Sequence, residues 1–148
     1  MDSDCLFCQN TFESYSINNY SNWDLQLFRD DQYYLGRTVI VFTDRHIEDI
    51  TELSIEERNE LFEIIIPELH TALEQTFRPD LYNYTSLGND CRHLHIHVIP
   101  RYKEKREYNG KIFKDEYWNQ TYSQDYDPVK LDSETYQNMI QLLQNHLP

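Results

Sequence analysis

No apolar run in the chain approaches the roughly 18–20 residues that a membrane-spanning helix needs. The opening Met1-Asp2-Ser3-Asp4 is acidic where a secretory leader would be basic. The chain therefore reads as soluble and cytoplasmic. Basic residues are few: 13 Lys+Arg stand against 26 Asp+Glu, for a net charge of −13 and a pI near 4.7. That sign argues against a nucleic-acid backbone or a membrane as a general partner, so any bound anion must find a local basic site. Glycine occurs only three times, and there is no repeat and no Gly/Ser/Pro-rich stretch, so nothing divides the 148 residues; one unit spanning 1–148 is expected. Three cysteines are too few for a disulfide framework. Two of them form Cys5-x-x-Cys8, which in a reducing compartment favours metal ligation, and Cys91 is left over.

What the chain does have is a core: 39% of residues are hydrophobic and 14% aromatic, with 12 Tyr and 7 Phe. Charge is uneven. Residues 44–74 carry ten acidic and two basic side chains, whereas 101–114 carry six basic ones against Glu104 and Glu107. Leu25 and Leu27 alternate over 24–28, and 33–42 is a β-branched and aromatic run, so both predict strands joined as a hairpin by Arg29-Asp30-Asp31-Gln32. Ser54 with Glu57 three residues on is a capping-box signature, and Leu61, Ile65, Leu69 and Leu73 recur at i+4 to about Thr76, predicting the main helix. Pro67 removes the bond to the Glu63 carbonyl and predicts a kink. Residues 81–87 and 93–99 alternate as a second hairpin around Gly88-Asn89-Asp90-Cys91-Arg92. Residues 101–129 lack periodicity and predict a long loop. Asp132 or Ser133 then caps a terminal helix with Tyr136, Met139, Ile140, Leu143 and Leu147 on one face.

The chemistry-bearing stretch is His93-Leu94-His95-Ile96-His97-Val98-Ile99. Strand side chains alternate, so His93, His95 and His97 share one face, about 7 Å apart, while Leu94, Ile96 and Val98 go to the core. Packing alone does not account for three imidazoles in alternation, because each buried ring brings nitrogens that need partners. Two chemistries suit the row: a zinc site fed by the strand, or an imidazole nucleophile that attacks phosphorus, with its neighbours binding and protonating the phosphate. Arg92, Arg101 and the basic stretch to Lys114 favour the second, because a metal site gains nothing from added cations.

His93–Ile99 resembles the H-φ-H-φ-H-φ-φ pattern of the histidine triad (HIT) superfamily of nucleotide hydrolases and transferases. Cys5-x-x-Cys8, Gly36-Arg37-Thr38, Arg45-His46, Glu48-Asp49-Ile50 and Leu53-Ser54 follow in the same order, so the likeness spans about 5–101, with loop and terminal helix over 102–148. The resemblance implies an α+β fold, a HIT-like antiparallel sheet of about five strands with two packed helices, commonly as a homodimer. It implies that His95 attacks the α-phosphate of a nucleotide, a dinucleoside polyphosphate or nucleoside phosphoramidate, and carries the nucleotidyl group. His97 would contact that phosphate and protonate the leaving group. Asn83 and Asn89 match substrate-contacting positions. Arg37 stands where many members carry a phosphate-facing histidine and would hold an anion permanently. Some members with a CxxC bind a structural zinc, and the matching ligands here are Cys5, Cys8, His46 and His93. The 87–89 step and Phe113…Tyr117-Trp118 look like a bacterial-type branch similar to diadenosine polyphosphate hydrolases. The competing expectation is a zinc-stabilised nucleotide-binding sensor without turnover.

Overall fold

The computed structural model describes residues 3–12, 15–28 and 31–148. Its centre is a five-stranded sheet. β1 (Ser16–Asn19) pairs with β2 (Trp23–Leu27). After a two-residue strand, β3 (Asp31–Gln32), β4 (Thr38–Phe42) lies against β2. β5 (Leu81–Thr85) and β6 (His95–Arg101) complete the order β1-β2-β4-β6-β5, with every pairing antiparallel. The expected five-stranded antiparallel sheet with two packed helices is observed.

Ser54 caps α1 (Ile55–Asn59) through the predicted box, its side chain accepting from the Glu57 N–H while Glu57 accepts from the Ser54 N–H. The helix continues through a π-helical stretch, Glu60–Ile65, into α2 (Ile66–Thr76). This is how the chain accommodates Pro67: the ladder widens just before the ring, with Ile66 N–H bonding to Leu61 O. The second helix, α3 (Ser133–Gln144), starts at Asp132, whose side chain accepts from the Thr135 N–H.

Both helices cover one face of the sheet. Trp23, Leu25, Leu27, Ile40, Phe42, Ile96 and Val98 pack there against Leu61, Ile65, Leu69 and Leu73 and against Met139, Ile140 and Leu143. The register puts His95 opposite Val41 and His97 opposite Val39 and Thr85, so the alternation that buries Ile96 and Val98 turns the histidines to the other face.

Three expectations change. Residues 33–37 are not strand: Arg37 N–H bonds to Tyr34 O and Gly36 has φ +78°, a turn that delays β4 to Thr38. Of the proposed connecting turn, Arg29 and Asp30 lie outside the described residues, while β3 pairs with β9 (Val129–Lys130) far along the chain. The 101–129 segment is not featureless: β7 (Arg106–Tyr108) and β8 (Lys111–Phe113) form a hairpin around Asn109-Gly110, both at positive φ.

Candidate active site and metal centre

The three histidines do not converge on one point; each is engaged differently. His93, 2% exposed, sets its Nε2 2.6 Å from Phe42 O, which makes Nε2–H the donor and leaves the Nδ1 lone pair available. That Nδ1 lies 3.4 Å from Cys5 Sγ and 3.5 Å from Cys8 Sγ, and Cys8 Sγ lies 3.3 Å from His46 Nδ1. The four donor atoms all fall within 4.8 Å of one another. Zinc bonds of about 2.3 Å to sulfur and about 2.0–2.1 Å to nitrogen, set tetrahedrally, require S···N separations of about 3.5 Å. The donor set fits that requirement, and the Phe42 carbonyl supplies the outer hydrogen bond that orients a ligating imidazole.

His95 is turned the other way. Its Nδ1 sits 2.5 Å from His93 O, so Nδ1–H donates to the backbone and Nε2 keeps its lone pair. Burial pushes its pKa below the ordinary histidine value, partly opposed by that carbonyl; His93 is lowered in the same way. His97 packs edge-on to His95 at 5.1 Å and to Phe28 at 5.0 Å. The Arg37 guanidinium, 3% exposed, lies 4.1 Å over the Phe28 ring with Nη2 3.4 Å from His97 Nδ1. A guanidinium only donates, so His97 Nδ1 accepts and its proton sits on Nε2.

His95, His97 and Arg37 share the wall of an open cleft with Phe7, Asn89, Asp90, Cys91, Tyr122 and Gln124. A small hollow lined by Phe7, Phe12, Tyr15, Gln26, Phe28 and Val39 adjoins it. Asn89 is exposed at the rim. The structure thus brings His95, His97, Arg37 and Asn89 together, and gathers Cys5, Cys8, His46 and His93 into a separate centre.

Asn83 and Arg101 lie elsewhere. Arg101 is 1% exposed, and its five N–H groups meet five acceptors. Nε and Nη2 bond to Asp115 Oδ2 at 2.6 Å and Oδ1 at 3.1 Å, and Nη2 also to Tyr117 O. Nη1 bonds to Asn83 Oδ1 and Gln120 O. This is a saturated internal anchor for the 115–120 segment, and Asn83 is part of it. Arg92, 80% exposed in its side chain, faces Glu48. Among the described residues none from 101–114 lines the cleft; its cation is Arg37.

Sequence reasoning missed Phe7, whose ring packs 5.0 Å from His95 and 5.6 Å from His93, and Tyr122, 5.5 Å from the Arg37 guanidinium. Phe7 had one available signal: it sits between the two cysteines.

The family model for the HIT domain matches residues 12–104. The chain belongs to the HIT family. Its fold is similar to that of a histidine triad protein from Bradyrhizobium japonicum, at 20% identity and TM-score 0.68 over 90% of each chain. A histidine triad protein from Marinobacter aquaeolei is similar at 23% identity and TM-score 0.67 over 93% of each chain. A zinc-bound histidine triad family protein from Mycobacterium smegmatis is similar at 18% identity and TM-score 0.60, over 96% of this HIT chain and 94% of that one. No curated protein matches the sequence. No helix among the described residues is long and apolar enough to cross a membrane.

Proposed function

We propose that the protein is a nucleotide hydrolase or nucleotidyl transferase acting at an α-phosphate through a covalent nucleotidyl intermediate on His95. The observation that carries this reading is the His95 ring: its Nδ1–H is held by the His93 carbonyl, and the ring lines the cleft beside the Arg37 guanidinium and His97. The Nε2 lone pair of His95 bonds to phosphorus as the bond to the leaving group breaks, P–O in a polyphosphate or P–N in a phosphoramidate, and the His97 Nε2 proton passes to the departing oxygen or nitrogen. Water then attacks the same phosphorus, the P–N bond breaks, and the water's proton returns to His97. Arg37 neutralises the phosphate throughout. Phe7, Phe12 and Phe28, which border both the cleft and the adjoining hollow, offer rings on which a planar base would stack. Asn89 at the rim is proposed to touch the substrate, which belongs to the dinucleoside polyphosphate or nucleoside phosphoramidate class.

Cys5, Cys8, His46 and His93 are proposed to hold a structural zinc; their spacing supports this, as does the zinc-bound relative of the same fold. The reading includes a homodimer joined through β5, an edge strand whose exposed Tyr84 lines one hollow with exposed Phe62. It also includes a single 1–148 unit working in a reducing, cytoplasmic compartment that keeps the thiols reduced.

The test is an alkaline denaturing quench, in which the P–N bond survives, of the enzyme with a panel of adenylated and guanylated substrates, read by mass. One nucleotidyl group on the His95 peptide, absent in His95→Ala, is the expected result. Nucleotide binding across the panel with neither adduct nor turnover overturns it in favour of the sensor.

A further inference from the structure

Neither the metal set nor the phosphate chemistry uses Cys91. Its Sγ lies 4.0 Å from Cys5 Sγ, and the residue is half-buried in the cleft wall, next but one to Asn89. Cys5 is itself one of the four clustered donors. We propose that Cys5 and Cys91 form an oxidative modification site, which a peroxide-class oxidant converts to a disulfide, withdrawing Cys5 from the metal. The metal release rests on the zinc reading above; the disulfide rests on the sulfur geometry alone.

The steps balance. The Cys5 thiolate attacks peroxide, the O–O bond breaks, and Cys5 becomes a sulfenic acid as hydroxide leaves. The Cys91 thiol sulfur then attacks the Cys5 sulfur; the S–S bond forms, the S–O bond breaks, and the departing hydroxide takes the Cys91 thiol proton and leaves as water. Two electrons pass from the sulfur pair to one peroxide. Cys8 is the rival partner, but its Sγ is tied into the cluster at 3.3 Å from His46 and 3.5 Å from His93. Cys91 contributes no donor to the metal set, so its attack requires no second metal–sulfur bond to break. Closing from 4.0 Å to a bonded distance of about 2.05 Å falls on the 86–92 connection between β5 and β6. Asn89 and Asp90 are exposed there, and Gly88 has φ +65° with only Cys91 O near its missing Cβ.

The modification reaches the cleft from two sides. Cys5 anchors the turn that seats Phe7 against His95, and Cys91 ends the rim that carries Asn89. Oxidation therefore displaces both walls, and three donors remain where four held the metal.

The full-length protein, with zinc content measured as purified, is treated with one equivalent of hydrogen peroxide. Metal release is followed with a chromogenic chelator, and the product is mapped by mass. The expected product has lost two hydrogen masses, links the Cys5 and Cys91 peptides, and has shed its zinc; a dithiol reductant restores the mass and metal uptake. Cys91→Ser is expected to retain its zinc at the same dose. Linkage of Cys5 to Cys8, or equal zinc loss from Cys91→Ser, overturns the proposal. Protein purified without zinc overturns the metal reading instead, and disulfide mapping then still decides the cysteine pair.

Discussion

Replacing Asp115 with Ala separates two roles for Arg101, anion binding and internal anchoring. The carboxylate is fully buried and takes the guanidinium at 2.6 Å and 3.1 Å. Removing one partner of such a pair leaves an uncompensated charge in the interior and costs about 3–5 kcal/mol. For a chain of this size, each kcal/mol lowers the melting temperature by roughly 2–4 °C, so the variant should melt roughly 6–20 °C below the parent. Thermal and urea denaturation followed by near-ultraviolet circular dichroism would measure this, because Trp118 and Tyr122 lie on or beside the anchored segment. The double variant Arg101→Met/Asp115→Leu should recover a large part of the loss, since two apolar groups leave no buried charge. The anchoring role is refuted if Asp115→Ala changes stability by less than about 1 kcal/mol while raising KM for a phosphate substrate.

Gly36→Ala should destabilise by about 1–3 kcal/mol, since its φ is positive and a Cβ would meet Phe77 Cδ2 at 2.8 Å. Because Arg37 is the next residue, KM should rise with it, which urea titration and steady-state kinetics together would reveal. Glu60 accepts from Ser21 N–H, Asn22 N–H and Asn22 Nδ2; burial raises its pKa, but these donors outweigh burial and hold it below the ordinary carboxylate value. The folded pKa is the depressed one, so its stabilisation is present at neutral pH and is lost as pH falls below the ordinary carboxylate range. Glu60→Gln should therefore lower the unfolding free energy measured by urea titration at pH 7 by about 1 kcal/mol for a half-exposed group. It should also flatten the further loss toward pH 3.

The elements governed by local rules were readable: the Ser54–Glu57 box, the Asp132 cap and the period-2 alternation that turns His95 and His97 away from Ile96 and Val98. Three features resisted for physical reasons. The pairing of β3 with β9 is two residues long and joins distant segments, so neither carries a strand period. The π-helical stretch before Pro67 is one of several ways to lose a helical bond, and packing chooses among them. Arg101 follows the triad in sequence, but Asp115, Tyr117 and Gln120, which claim its donors, come from a segment without periodicity. The Asn109-Gly110 turn was a missed local signal: that dipeptide favours a tight hairpin even between strands of three residues.

His93 belongs to two assemblies at once. Its imidazole faces the thiols while its carbonyl fixes the proton of the neighbouring His95 ring. A substitution at this position that removes its donor from the cysteine–histidine cluster also acts on the residue whose backbone oxygen selects the His95 tautomer. Loss of rate in such a variant cannot be apportioned between scaffold and chemistry. The two are better uncoupled from the far side, at His46, whose ring touches the cluster but gives His95 no backbone support.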